Sequence, residues 1–124
     1  MEALNIIAGK MVAKGKGILA ADESTPTCTK RFESIGVEST YATRNEYRDM
    51  LLGADSLSEY ISGVIMFDET LRQSTTCNHK IPFPDYLISK GVLPGIKVDT
   101  GAKELSGFTN EKVTEGLDGL RDRL

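Results

Sequence analysis

The chain has no tryptophan, a single histidine and only two cysteines. Cys28 and Cys77 are too few for a disulfide scaffold and form no CxxC pair, and one histidine beside them argues against a zinc site. His79 lies in a loop with no candidate partner beside it, so no Ser-His-Asp arrangement can be assembled around it. Basic residues are not in excess: 15 Lys and Arg stand against 18 Asp and Glu, a formal charge of -3. That excludes a non-specific nucleic-acid binder and leaves room only for a local basic patch that holds an anion. No apolar run approaches the roughly 18 residues of a membrane span. The opening Met1-Glu2-Ala3-Leu4-Asn5 lacks the basic flank and apolar block of a secretory signal, so a cytoplasmic protein is the expectation. No low-complexity stretch or linker interrupts the chain.

What remains is ordinary globular usage, 40% apolar and 27% charged, in 124 residues, the length of one small domain. Leu4, Ile7, Ala8, Met11 and Val12 repeat at helical spacing until Gly15. Gly17-Ile18-Leu19-Ala20-Ala21 is a short unbroken apolar run, which predicts a strand buried on both faces. A helix follows from Thr25 as N-cap and Pro26 to Ile35, closed by Gly36. Thr43-Arg44-Asn45-Glu46 fits a capping box, opening a helix that would bury Tyr47, Met50 and Leu51 and stop at Gly53. Gly63-Val64-Ile65-Met66-Phe67 is the second strand candidate. Residues 72 to 82, with His79, read as a polar surface loop. Pro84 opens a helix through Lys90 that Gly91 ends, and Gly95-Ile96-Lys97-Val98 is the third strand candidate.

A weak repeat runs through these segments. Three times a glycine leads into an apolar strand, and three times the strand ends at an aspartate with Ser or Thr close behind. Helical segments between the copies predict parallel pairing with right-handed crossovers. Ligands collect at the carboxyl ends of such strands, which puts Asp22, Asp68 and Asp99 on one rim. At the chain's end, Leu117, Leu120 and Leu124 keep helical spacing to the last residue without a stop signal. This predicts a fragment cut inside a helix.

Lys97 is the sharpest single signal. A lysine near the carboxyl end of a buried strand is either a phosphate-binding or electrostatic group, or one that snorkels out from the rim. Asp22 is a candidate proton acceptor. Ser24, Thr25 and Thr27 surround a helix start whose free N–H groups suit an anion, with plain capping as the alternative. Lys30-Arg31 lies one turn on, as a solvated face or as part of that anion site. Asp68-Glu69-Thr70 reads as capping and strand termination. Gly15-Lys16-Gly17 precedes a strand, so it is neither a Rossmann fingerprint nor a P-loop. Both cysteines read as ordinary thiols.

These blocks resemble a known family. Gly15-Lys16-Gly17-Ile18-Leu19-Ala20-Ala21-Asp22-Glu23-Ser24-Thr25 with Lys30-Arg31-Phe32 resembles the first barrel strand and phosphate loop of class I fructose-bisphosphate aldolases. Residues 61 to 71, 94 to 99 and 116 to 120 are similar to their second strand, their third strand and the helix before their fourth. The resemblance implies an α/β fold, a partial (β/α)8 TIM barrel made of its first three parallel strands and their helices. Residues 1–124 would form one incomplete domain, since a whole barrel takes about 250 residues.

The resemblance also implies a glycolytic lyase that cleaves fructose 1,6-bisphosphate through a Schiff base, with no metal and no cofactor, in relatives that are commonly homotetramers. It assigns Asp22 to proton transfer near the substrate hydroxyls. Ser24 and Lys97 would hold phosphate, Thr27 stands at a Ser/Thr position of that loop, and Arg31 would bind substrate. Pro26, Cys28 and Thr100 depart from the animal pattern, and Pro26-Thr27 is more like bacterial members. No lysine here matches the Schiff-base nucleophile, so the isolated chain is expected to be inactive. The alternative is a non-catalytic module that binds a phosphate or pairs with another chain, with no nucleic acid and no membrane partner.

Overall fold

A computed structural model describes residues 2–77 and 80–123. Helix α1 (Leu4–Met11) leads to β1 (Gly17–Ala21), α2 (Thr25–Glu33) and α3 (Tyr41–Leu52). Then come α4 (Leu57–Tyr60), β2 (Ile61–Met66), α5 (Asp68–Leu71), α6 (Phe83–Ser89) and β3 (Leu93–Ile96). A hairpin of β4 (Gly101–Glu104) and β5 (Lys112–Glu115) precedes a last short helix, α7 (Leu120–Arg123). The three apolar strands form one sheet in the order β1-β2-β3, parallel throughout. Parallel neighbours cannot be joined by a tight turn, and the intervening helices supply the crossovers.

Only the central strand is as buried as an unbroken apolar run suggests. Val64 and Met66 of β2 are fully buried, whereas Gly17 to Ala20 of β1 remain exposed or half-buried, with Ile18 at 46%. Within the described residues, then, β1 is not covered on both faces as expected. With β2 on one side only, it stands at the sheet's edge. The core sits between β2 and the helices that return to it: Ala21, Leu52, Val64, Met66, Phe83, Leu87 and Val92. Ser62 ties α1 to the sheet, its hydroxyl donating to the Met11 carbonyl.

Helix ends follow local chemistry, with shifts from the sequence reading. Ser24, not Thr25, is the N-cap of α2, and Pro26 sits in its first turn. The capping box of α3 lies three residues earlier than Thr43-Glu46. Thr40 Oγ1 accepts from Thr43 N at 3.1 Å and Thr43 Oγ1 accepts from Thr40 N at 2.9 Å, so a threonine takes the part usually played by glutamate. The inward face also differs from the expected one. Arg48 and Leu52 are buried, while Met50 is 66% exposed and Tyr47 and Leu51 are half-buried. Both α2 and α6 close with a glycine at positive φ, Gly36 and Gly91. In each case the next residue, Val37 or Val92, donates back five positions to Phe32 O or Leu87 O at 2.9 Å. Only glycine adopts this turn cheaply.

Two further expectations are revised, and one element is new. The segment from 72 to 82 is polar, but it is pinned rather than loose. Gln73 and Thr75 are buried, Phe83 N donates to Gln73 O, and Thr75 bonds Ile81 through both main chain and hydroxyl. His79 lies outside the described residues, as does Leu124. The β4–β5 hairpin carried no sequence signal because its strands have no apolar face. Among its residues only Gly101 is even half-buried, and Glu104 pairs with Lys112 across the strands. Near the end, Leu117 is 85% exposed and precedes α7, so it does not share a helical face with Leu120.

This packing makes a contrast that melting curves can check. Phe83→Ala should cost about 3–5 kcal/mol by emptying the core. Met50→Ala, at a position the sequence pattern puts inside, should stay within about 0.5 kcal/mol. Urea titration followed by circular dichroism reads both.

Candidate active-site rim

The register of the sheet builds the rim. Ala21 pairs with Met66 and Met66 with Ile96, so Asp22, Phe67 and Lys97 are the next residues on three adjacent strands. Lys97 still donates its N–H to Met66 O at 2.8 Å, one rung past the end of β3. Its side chain does not snorkel away. The ammonium donates to Asp99 Oδ2 at 2.6 Å and lies 3.3 Å from Asp22 Oδ2, with the three side chains about a quarter to a third exposed. The bond to Asp99 holds the Lys97 ammonium above the ordinary lysine range. Burial opposes this and Asp22 adds to it. Asp99 is held below the ordinary carboxylate range by the same bond.

Of the three rim aspartates, two therefore converge on one lysine. Asp68 does not join them. It opens α5 and bonds Arg72 one turn along, at 3.1 Å. Glu69 beside it takes Arg44 in a two-pronged pair at 2.7 and 2.8 Å. The reading of Asp68-Glu69 as a structural terminus fits both contacts.

At the start of α2, Ser24 occupies the N-cap but makes no capping bond. Its hydroxyl lies 3.2 Å from Thr27 Oγ1 instead. Plain capping does not account for this serine. Arg31, one turn in, reaches back to Glu23 Oε1 at 2.5 Å and to Tyr47 Oη at 3.2 Å. The structure thus joins Asp22 with Lys97, Ser24 with Thr27, and Arg31 with Glu23. Among the described residues no side-chain hydrogen bond links these three groups directly.

Sequence reasoning passed over Glu23 and Arg48, which hold the rim from behind. Arg48 is 2% exposed. It donates to Glu23 Oε2 at 2.8 Å, to Glu23 O at 2.6 Å, to Thr70 Oγ1 at 3.1 Å and to the Cys28 sulfur at 3.4 Å. Burial raises the Glu23 carboxyl. A backbone hydrogen bond, the Arg31 hydrogen bond and the charges of both arginines outweigh it and leave the group below its ordinary value. The available signal was an arginine four residues before Leu52, on the helix stripe that carries it. Cys28 is buried against that guanidinium, whereas Cys77 is exposed, and both are free thiols.

An open cavity of about 200 Å³ lies at the opposite, amino ends of the strands, lined by Lys10, Lys16, Ser62 and Leu93. There Lys10 pairs with Glu2 and Lys16 donates to the Ser58 carbonyl. Among the described residues no helix is long and apolar enough to cross a membrane.

With this geometry in view, comparison with known proteins is decisive. The profile of the family described as fructose-bisphosphate aldolase class-I matches residues 3–124. The chain belongs to that family. It is 55% identical over all 124 residues to a probable fructose-bisphosphate aldolase class 1 of Xylella fastidiosa, of which it covers 36%. It is 53% identical over 116 residues to fructose-bisphosphate aldolase 1 of Toxoplasma gondii, covering 94% of this chain and 31% of that protein. Among solved structures, the aldolase of Plasmodium falciparum, crystallised with TRAP and a small-molecule inhibitor, superposes with a TM-score of 0.87 at 47% identity. The match covers 95% of this chain and 33% of that one. The chain thus spans about a third of the length of these relatives. The α/β architecture is that of a partial TIM barrel.

The depressed Glu23 value has a defined consequence for acid stability. A carboxyl lowered in the folded state stabilises fully above its unfolded value, near 4.5, and the gain is lost as pH falls through the lower folded value. Wild-type chain should therefore lose stability below pH 4.5 more steeply than Glu23→Gln, whose acid limb should flatten. Urea midpoints measured across that range check this.

Proposed function

We propose that this chain supplies the proton-transfer and phosphate-holding side of a class I fructose-bisphosphate aldolase site. The observation that carries the reading is the Lys97 ammonium held between Asp22 and Asp99 at the carboxyl rim of three parallel strands. That is the end of the sheet where barrel enzymes do their chemistry.

Cleaving the carbon–carbon bond of fructose 1,6-bisphosphate requires two things. The electron pair released at the ketone side needs a sink, and the hydroxyl on the other carbon must lose its proton as it becomes an aldehyde. In the class I chemistry a lysine amine condenses with the ketone, with loss of water, and the resulting iminium takes the electron pair. None of this chain's lysines matches that nucleophile. Asp22 accepts the hydroxyl proton, a role suited to a carboxylate whose position an adjacent ammonium restrains. The products are dihydroxyacetone phosphate and glyceraldehyde 3-phosphate, and a glycolytic role in the cytoplasm is part of the same proposal.

Phosphate recognition falls to Lys97, Ser24 and Thr27, with Arg31 as a further substrate-binding group. An ammonium carries three N–H donors, and the two carboxylates take two, leaving the third for a phosphate oxygen. Ser24 and Thr27 present hydroxyls at the first turn of α2, where the helix's free N–H groups favour an anion. The reading needs no metal and no cofactor. Assembly as a homotetramer belongs to the same proposal.

The test joins this chain to the remaining two thirds of the Xylella fastidiosa relative. The chimera should cleave fructose 1,6-bisphosphate, and Asp22→Asn in it should lower kcat by about 10²–10⁴-fold, the contribution of a positioned acid–base group. The 124-residue chain alone should bind the sugar phosphate without releasing triose phosphate. A chimera that folds and shows no cleavage, or that is unaffected by Asp22→Asn, overturns the proposal.

A further inference from the structure

We infer that Arg48 is a positioning residue for the rim: its buried guanidinium fixes residue 23, and through it the two site residues on either side, Asp22 and Ser24. The inference rests on the proposed reading of those two residues as site groups, and on the following geometry.

Glu23 is gripped twice by one side chain, at its carboxylate through Nη1 (2.8 Å) and at its own carbonyl through Nη2 (2.6 Å). Gripping both side chain and main chain leaves the residue no rotation that keeps both bonds. The Glu23 carbonyl belongs to the peptide that leads into Ser24, and the Glu23 nitrogen belongs to the peptide that leaves Asp22. Holding residue 23 in this way sets the direction in which Asp22 leaves β1 and faces Lys97.

The guanidinium is itself held. Its Nε donates to Thr70 Oγ1 at 3.1 Å, and Thr70 is 2% exposed in α5, which begins just past β2. Its centre lies 5.1 Å from the Tyr47 ring, and Nη2 touches the Cys28 sulfur in α2. One side chain of α3 therefore ties the loop after β1 to the helix after β2 and to α2. A rigid, planar fork suits this task, and a lysine at the same place has no second arm. Removing one partner of a buried charge pair leaves the other without compensation, which makes the conservative exchange the informative one.

The experiment reads the Lys97 ammonium by ¹H–¹⁵N spectroscopy of the ligand-free 124-residue chain, with the Val64 and Leu87 methyl signals reporting the core. Arg48→Lys and Thr70→Val both keep the charge pattern, so a change at Lys97 reports geometry and not lost charge. Exchange of the Lys97 Nζ hydrogens should rise by on the order of tenfold in each variant while the methyl signals stay in place. Unchanged Lys97 exchange with an intact core overturns the inference. So does a change at Lys97 that appears only together with displaced core methyls, which would make Arg48 merely structural. If the wild-type ammonium exchanges too fast to observe, the backbone amide shifts of Asp22 and Ser24 are read in its place, and their staying unchanged in both variants overturns the inference. Because no ligand is present, failure here is distinct from failure of the chimera to cleave substrate.

Discussion

The parallel ladder through β2 governs the rest of the molecule. Because Ala21, Met66 and Ile96 lie side by side, the chain leaves all three strands at the same level. A parallel sheet repeats the strand direction, so every carboxyl end opens on one rim and every helix must return to the other end. Asp22 and Lys97 flank the central strand from opposite sides, yet their side chains approach to 3.3 Å above it. A slip of one residue in either pairing would turn Asp22 or Lys97 to the opposite face of the sheet and separate them.

Behind the rim, polar burial is concentrated on one group. A guanidinium that is 2% exposed carries a large desolvation cost, and it is tolerated because its donors meet a carboxylate, a carbonyl and a hydroxyl. Glu23 in turn shares its two oxygens between Arg48 inside and Arg31 outside. This carboxylate is the hinge between the covered interior and the solvent-facing start of α2. The Phe32 and Tyr47 rings meet edge-on at 5.5 Å, and the Tyr47 hydroxyl lies 3.5 Å from the Glu23 carboxylate.

Much of this was legible from residue order alone. The three apolar runs, the proline-led helices α2 and α6 and their closing glycines each carry a local signal with a mechanism. So does the lysine at the end of β3. What was not legible depends on contacts distant in sequence. The inward face of α3 is set by what it packs against: Arg48 and Leu52 turn toward Glu23, Thr70 and the core, while the apolar Met50 is left outside. Arg48 looks like a surface arginine until Glu23 and Thr70, more than twenty residues away on either side, are brought to it. The polar hairpin of β4 and β5 is held by backbone pairing, and no hydrophobic pattern announces such a structure. Ser24 is a different case. Its residue type and position both suggest a cap, and only the bond it makes with Thr27 shows that its hydroxyl is not spent on the helix.

Pro94 sits within β3, opposite Val64. Lys97 directs its N–H toward β2, so by alternation Pro94 belongs to the set that faces away. The donor that proline lacks is therefore missing from the outer edge of β3, and the pairing with β2 is untouched. A strand that added to this edge in full register would find one rung without a donor. Any strand that pairs on that side, the next strand of a completed barrel included, meets one rung that β3 cannot supply with a donor.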